Sequence, residues 1–194
     1  MARTYSLTAG QIIAKARLIL NDTMAPYRDD DQAMISWLND AIQMAVTVNP
    51  SLFIKSAPFE CVAGYRQQFD VARAVAVVDV VGVPVADPVS LSAFMPGWHN
   101  ATQGNAQNWM RVLQEPLDFE LYPPSFNGQT LTIHYVASPQ DIVSLGDVVL
   151  LTENYAPALA DYLVGRASFK DDEHVLSGRA QAFEEKFMLA IKPA

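Results

Sequence analysis

The side chains of this 194-residue sequence that could do metal or nucleophilic chemistry are three histidines, one cysteine and two acidic runs. A zinc hydrolase of the HExxH kind needs two imidazoles one helical turn apart, but His99, His134 and His174 stand far from one another. Neither CxxC, a P-loop, GxGxxG nor GxSxG occurs. Asp29-Asp30-Asp31 offers the hard oxygens that a cation takes, yet such residues also belong at a helix start, where they cap free amides and face the positive end of the dipole. The helix-start reading is the stronger one. Asp171-Asp172-Glu173-His174 poses the same choice, and without the glycine and spaced ligands of a calcium loop it too reads as a first helical turn. Cys61 falls on a predicted strand without a neighbouring histidine, so it reads as a buried structural thiol rather than a nucleophile. Carboxylate pairs for acid–base work form in space, and the sequence singles none out. No catalytic, cofactor-binding or metal-ligating residue is assigned, no cofactor is expected, and the chain is read as no enzyme.

The elements that position these residues are organised around 28–48. Met34, Trp37, Leu38, Ala41, Ile42, Ala45 and Val48 form one apolar stripe at helical spacing, opened by the three aspartates and stopped at Asn49-Pro50. Before it, Thr8 and Gln11 form a capping box for a helix that carries Ile12, Ile13, Ala16, Ile19 and Leu20 and ends near Asn21-Asp22. The short connection predicts an antiparallel helix pair. After Pro50 the texture turns to β. A hairpin is predicted over 58–62 and 65–69 with its turn at Ala63-Gly64, then a valine-rich strand within 72–85, and short strands at 109–113 and 117–122. Asn127-Gly128 makes a turn before an alternating strand over 129–136. A third helix begins at Asn154-Tyr155-Ala156-Pro157, and a fourth, opened by Asp171 and Asp172, runs through Leu176, Ala180, Phe183, Phe187 and Ile191.

The predicted fold is therefore α+β. Helix pairs at 1–50 and 154–194 form one four-helix layer, and 51–153 is an inserted antiparallel sheet or small β-sandwich. Within the insert, 84–108 is a long loop rich in Pro, Ser, Asn and Gly that nevertheless carries Phe94, Met95, Trp98 and His99.

Composition narrows the function classes. With 51% hydrophobic and 18% charged residues the chain builds a core rather than staying disordered. A formal charge of −8 and the lack of any Lys/Arg cluster argue against gripping a nucleic acid. One cysteine excludes an internal disulfide, in keeping with a chain made in a reducing cytoplasm. The opening residues lack the apolar core of a secretory leader, and the longest uninterrupted apolar run, 74–78, is too short to span a bilayer. A soluble intracellular product is expected, with no membrane partner.

Three stretches point further: ARLILNDTMAPYRDDDQAMISWLNDAIQMAVTVNP; MPGWHN with LYPP and IHYVASP; and DYLVGRASFKDDEHVLSGRAQAFEEKF. In this order they resemble the head-to-tail adaptor (connector) proteins of tailed, especially short-tailed, bacteriophages. The resemblance implies a non-enzymatic virion protein of the neck, made in the host cytoplasm. It implies a homo-oligomeric ring of about twelve copies that joins the portal protein to the tail tube or nozzle and lets DNA pass through its centre. An acidic ring suits such a lumen because it does not hold phosphate, although many cytosolic proteins are equally acidic. A head-completion or tail-terminator ring protein is the alternative within this class. A small virion-associated hydrolase is the alternative outside it and predicts a deep pocket with a perturbed acid or histidine.

Contact residues for such a ring are sought among exposed apolar side chains. Phe94, Met95, Trp98 and His99 are candidates to dock on a neighbouring subunit or the portal, or else Trp98 caps the sheet of its own subunit. Met188 and Ile191, apolar for a free tail, are the second candidates.

Overall fold

A computed structural model describes residues 7–170 and 177–193. In chain order the elements are α1 (Ala9–Leu20), α2 (Asp31–Val48), β1 (Ile54–Glu60), β2 (Gly64–Gln68), β3 (Ala74–Val80), α3 (Pro88–Phe94), β4 (Asn108–Arg111), β5 (Asp118–Ser125), β6 (Thr130–Ala137), α4 (Ala156–Lys170) and α5 (Ser177–Ile191). The class is α+β, as predicted. Two compact units divide the chain, one from Met1–Leu52 with Pro139–Ala194 and one from Phe53–Ser138.

In the helical unit α4 is the central element, with α1, α2 and α5 all packing on it. Its sequence fits that position: Leu159, Leu163 and Val164 are fully buried, and small residues let neighbours come close. At Gly165 an added Cβ would sit 3.4 Å from the Ala180 carbonyl oxygen of α5. The α1 capping box forms as read, the Thr8 hydroxyl accepting from Gln11 N at 3.3 Å and the Gln11 amide oxygen accepting from Thr8 N at 2.9 Å. Two further free amides of α1 donate to the 139–152 loop, Ala9 N to the Asp147 carbonyl and Gly10 N to the Leu145 carbonyl, at 2.9 and 2.8 Å. Helix α2 buries Ile35 and Val46 besides the predicted stripe, while Trp37 and Val48 are only half-buried. Its apolar face is thus wider than one stripe.

The other unit holds two three-stranded antiparallel sheets, ordered β1-β6-β3 and β2-β5-β4. Rings from both meet in one core: Phe59 lies 5.4 Å from Phe119, and Phe69 lies 4.8 Å from Tyr135. The predicted hairpin over 58–69 does not form, because β1 pairs with β6 and β2 pairs with β5. The reason lies at the corner between them. Cys61 stays on the β6 side, donating its N–H to the Gln129 carbonyl and accepting from Gly128 N. Buried Gln67 then supplies the bonds a turn would make, its amide nitrogen donating to the Val62 and Gly64 carbonyls and its oxygen accepting from Val62 N. Asn127-Gly128 turns the chain as read, with Gly128 at φ 82°, but it joins strands of different sheets.

Candidate interaction surface

The 84–108 segment is not an open loop. Its start runs beside β4, with Ala86 N donating to the Trp109 carbonyl and Trp109 N to the Pro84 carbonyl. Its end is tied to β5, with Gly104 N donating to the Pro124 carbonyl and Gln107 N to the Tyr122 carbonyl. Between these ties lies α3, which the sequence reading missed. Its signal was present in Asp87-Pro88: an aspartate N-cap followed by proline at the first helical position. The Asp87 carboxylate accepts from Ser90 N at 2.9 Å and from the Ser90 hydroxyl at 2.7 Å, which holds its pKa below the usual carboxylate range.

One side chain fixes this helix from below. Trp98 is 3% exposed, stacks on His99 at 3.8 Å between ring centroids and meets the edges of Tyr65 and Tyr122 from the β2-β5 pair. Its indole N–H donates to the Ser92 hydroxyl on α3 at 3.1 Å. Trp98 therefore packs within its own unit. No residue of α3 itself is buried; Val89 is 75% exposed and Phe94 86%, and Val85 and Met95 beside them also face outward. Of the predicted contact residues, the segment presents Phe94, Met95 and His99 at the surface and withdraws Trp98. Residues 88–98 carry no ionisable side chain, although exposed Asp87 and His99 flank them.

At the C-terminus Ile191 is fully buried, and its carbonyl accepts from the Asn49 side chain at 2.9 Å. Met188 is half-buried beside Met44, Glu184 and Glu185. A second surface feature, unforeseen from sequence, lies in the helical unit. The 139–152 loop leaves a groove of about 430 Å³ whose lining mixes apolar Ile42, Ile142, Val143 and Leu150 with polar Gln140, Asp141 and Asp147. Asn39 holds the loop to α2 through a reciprocal pair, its amide nitrogen donating to the Ile142 carbonyl at 2.9 Å and its oxygen accepting from Ile142 N at 2.8 Å. Asp147, on the groove wall, is occupied by Val143 N, Ser144 N and the Ser144 hydroxyl, which lower its pKa.

The chemistry-bearing residues fall into structural roles. Asp30 caps α2 by accepting from Ala33 N at 2.7 Å. Asp31 and Asp22 pair with the buried Arg17 guanidinium, over which Tyr27 stacks. Asp29 is buried and pairs with Lys170 at 2.7 Å and Arg28 at 3.2 Å. Burial pushes the Cys61 thiol up, and a bond with Ser125 partly offsets it. Among the described residues no three His, Cys, Asp or Glu side chains group as metal ligands; Asp171 to His174 lie outside them. Among the described residues no helix is long and apolar enough to cross a membrane.

Comparison with known families gives a match over residues 7–193 to the family described as SU10 adaptor protein. Among curated proteins none matches.

Proposed function

The chain belongs to the SU10 adaptor protein family, a family of phage head-to-tail adaptors, and from that premise we propose that its copies assemble as a ring joining the portal vertex to the tail tube or nozzle. The observation that carries this reading is the family match across nearly the whole described chain. The resemblance to head-to-tail adaptors is what suggests about twelve copies in a closed cyclic ring. DNA passes through its centre without sequence-specific binding. The charge of −8 supports passage, since an acidic wall does not retain phosphate; a lumen lined by Lys and Arg would overturn this part.

We read the four long helices as one layer around α4, supported by the packing of α1, α2 and α5 on that helix and by the Asn49–Ile191 bond between α2 and α5. The β insert is read as the unit that carries a contact surface, supported by the exposure of Val89, Phe94 and Met95. The test is the mass of the purified protein by light scattering, alone and after mixing with portal rings. A stoichiometric ring on the portal is expected. A species whose mass ignores the portal at all concentrations refutes the adaptor ring.

A further inference from the structure

Asn127-Gly128 shapes the turn into β6, but its chemistry goes further than shape. Of the asparagines in the sequence, only Asn127 precedes a glycine. An asparagine amide carbon is open to attack by the backbone nitrogen of the next residue, and a side chain on that residue normally crowds the approach. Gly128 has none, and both residues are exposed to water. The turn is tight, with Gly128 at φ 82° and Gln129 N donating to the Phe126 carbonyl at 3.4 Å. In the folded chain two hydrogen bonds occupy the groups that would react. The Asn127 Oδ1 accepts from Ala63 N at 2.7 Å, and Gly128 N donates to the Cys61 carbonyl at 3.1 Å. Both bonds run to the corner between β1 and β2, a surface segment that can open while the sheets persist.

We propose that Asn127 is a site of spontaneous deamidation, gated by the opening of this corner. Once both bonds break, Gly128 N gives its proton to solvent and attacks Cγ of Asn127. A new N–C bond forms, the side-chain nitrogen takes up a proton and leaves as ammonia, and a five-membered imide closes. Water then opens the ring. Addition at the former side-chain carbonyl gives aspartate; addition at the backbone carbonyl gives isoaspartate, whose main chain runs through Cβ and Cγ. Water is the only co-reactant. The two products differ in what they do to the corner. Aspartate keeps an oxygen for Ala63 N, whereas isoaspartate adds a carbon to the main chain of a turn whose reach is set by the bonds to Cys61 and Ala63. Either product brings a carboxylate close to Glu60, whose Oε1 lies 3.7 Å from where a Cβ on Gly128 would stand.

The test is ageing of the purified chain at mildly alkaline pH, folded and in urea, followed by peptide mass mapping that resolves aspartate from isoaspartate. Asn127 should convert ahead of every other asparagine in both conditions. Conversion should be slower in the folded chain by about tenfold or more, the factor that two exposed hydrogen bonds supply. Amide exchange then reads the consequence: the aged chain should gain a fast-exchanging fraction at Ala63 and Gly128 that the Asn127→Asp variant lacks. If Asn127 stays intact in the folded chain while other asparagines convert, it is no modification site of this protein. Equal rates with and without urea would overturn the gating by the corner. Equal exchange in the aged chain and in Asn127→Asp would overturn the assignment of the disturbance to isoaspartate.

Discussion

Replacing Trp98 by alanine tests whether the contact surface is built from within the subunit. The indole is 3% exposed and touches Tyr65, Tyr122 and His99. A buried aromatic of this size removes roughly 200 Å² from water, worth about 5 kcal/mol at about 25 cal/mol per Å². That figure is an upper bound, because α3 and the turn after it can detach while the sheets persist, and His99 above the ring is exposed. The lower end of the range for aromatic truncation, about 3 kcal/mol, is the appropriate value. The lost bond to the Ser92 hydroxyl is included in it. For a chain of this length about 3 kcal/mol corresponds to a Tm lower by roughly 6–12 °C. Thermal unfolding of the monomer measures this, and amide exchange across 84–108 shows whether the loss is local. Phe94→Ala is the paired control. At 86% exposure it should leave Tm unchanged and reduce assembly. The reasoning is refuted if Trp98→Ala melts with the parent and only assembly suffers, since the indole would then be held by a partner and not by Tyr65 and Tyr122.

Three other perturbations probe the frame around the groove. Gly10→Ala places a Cβ 3.0 Å from the Leu145 carbonyl oxygen and should destabilise by about 1–3 kcal/mol, read as a lower Tm with faster amide exchange at position 10. Asn39→Ala leaves the Ile142 N–H and carbonyl without their partners; a cost of about 1–3 kcal/mol and increased proteolysis within 139–152 are expected. Lys170→Met removes one of the two cationic partners of buried Asp29, whose carboxylate raises the Lys170 pKa chiefly by hydrogen bonding and then by charge. A lysine with a raised folded pKa contributes stability that is complete below its unfolded pKa and disappears as pH rises through the folded one. The Tm gap between the parent and Lys170→Met should therefore persist at neutral pH and close in strong alkali.

How much of this was legible in the sequence follows from the range of each signal. The α1 box, the Asp30 cap and the stripes of α2 and α4 are local, and they appear where the residues put them. Strand positions were legible to within a few residues, but their partners were not. Ala63-Gly64 offers ordinary turn chemistry, and only the side chain of Gln67, together with the hold of the Asn127-Gly128 turn on Cys61, sends β1 and β2 to different sheets. The three aspartates of 29–31 looked equivalent, yet Asp29 is buried against a lysine 141 positions away. No periodicity encodes such a pair. The same limit hid the groove, whose shape depends on Asn39 meeting Ile142 across 103 positions.

Trp98 shows why hydrophobicity alone does not separate an interface anchor from an internal one. Tryptophan is the commonest anchor at interfaces because of its large apolar area, and the same area makes it the best internal anchor. Sequence cannot separate the two uses; in the structure the indole N–H is given to Ser92 of the helix it supports. With Trp98 holding α3 from below and Asp87 capping its start, Val89 and Phe94 gain a fixed position without being buried themselves. A surface fixed in this way loses little conformational entropy when covered, so more of the apolar burial at Phe94 remains to stabilise assembly. If the proposed ring uses this surface, substitution of buried Trp98 should weaken assembly only to the extent that it unfolds the 84–108 segment.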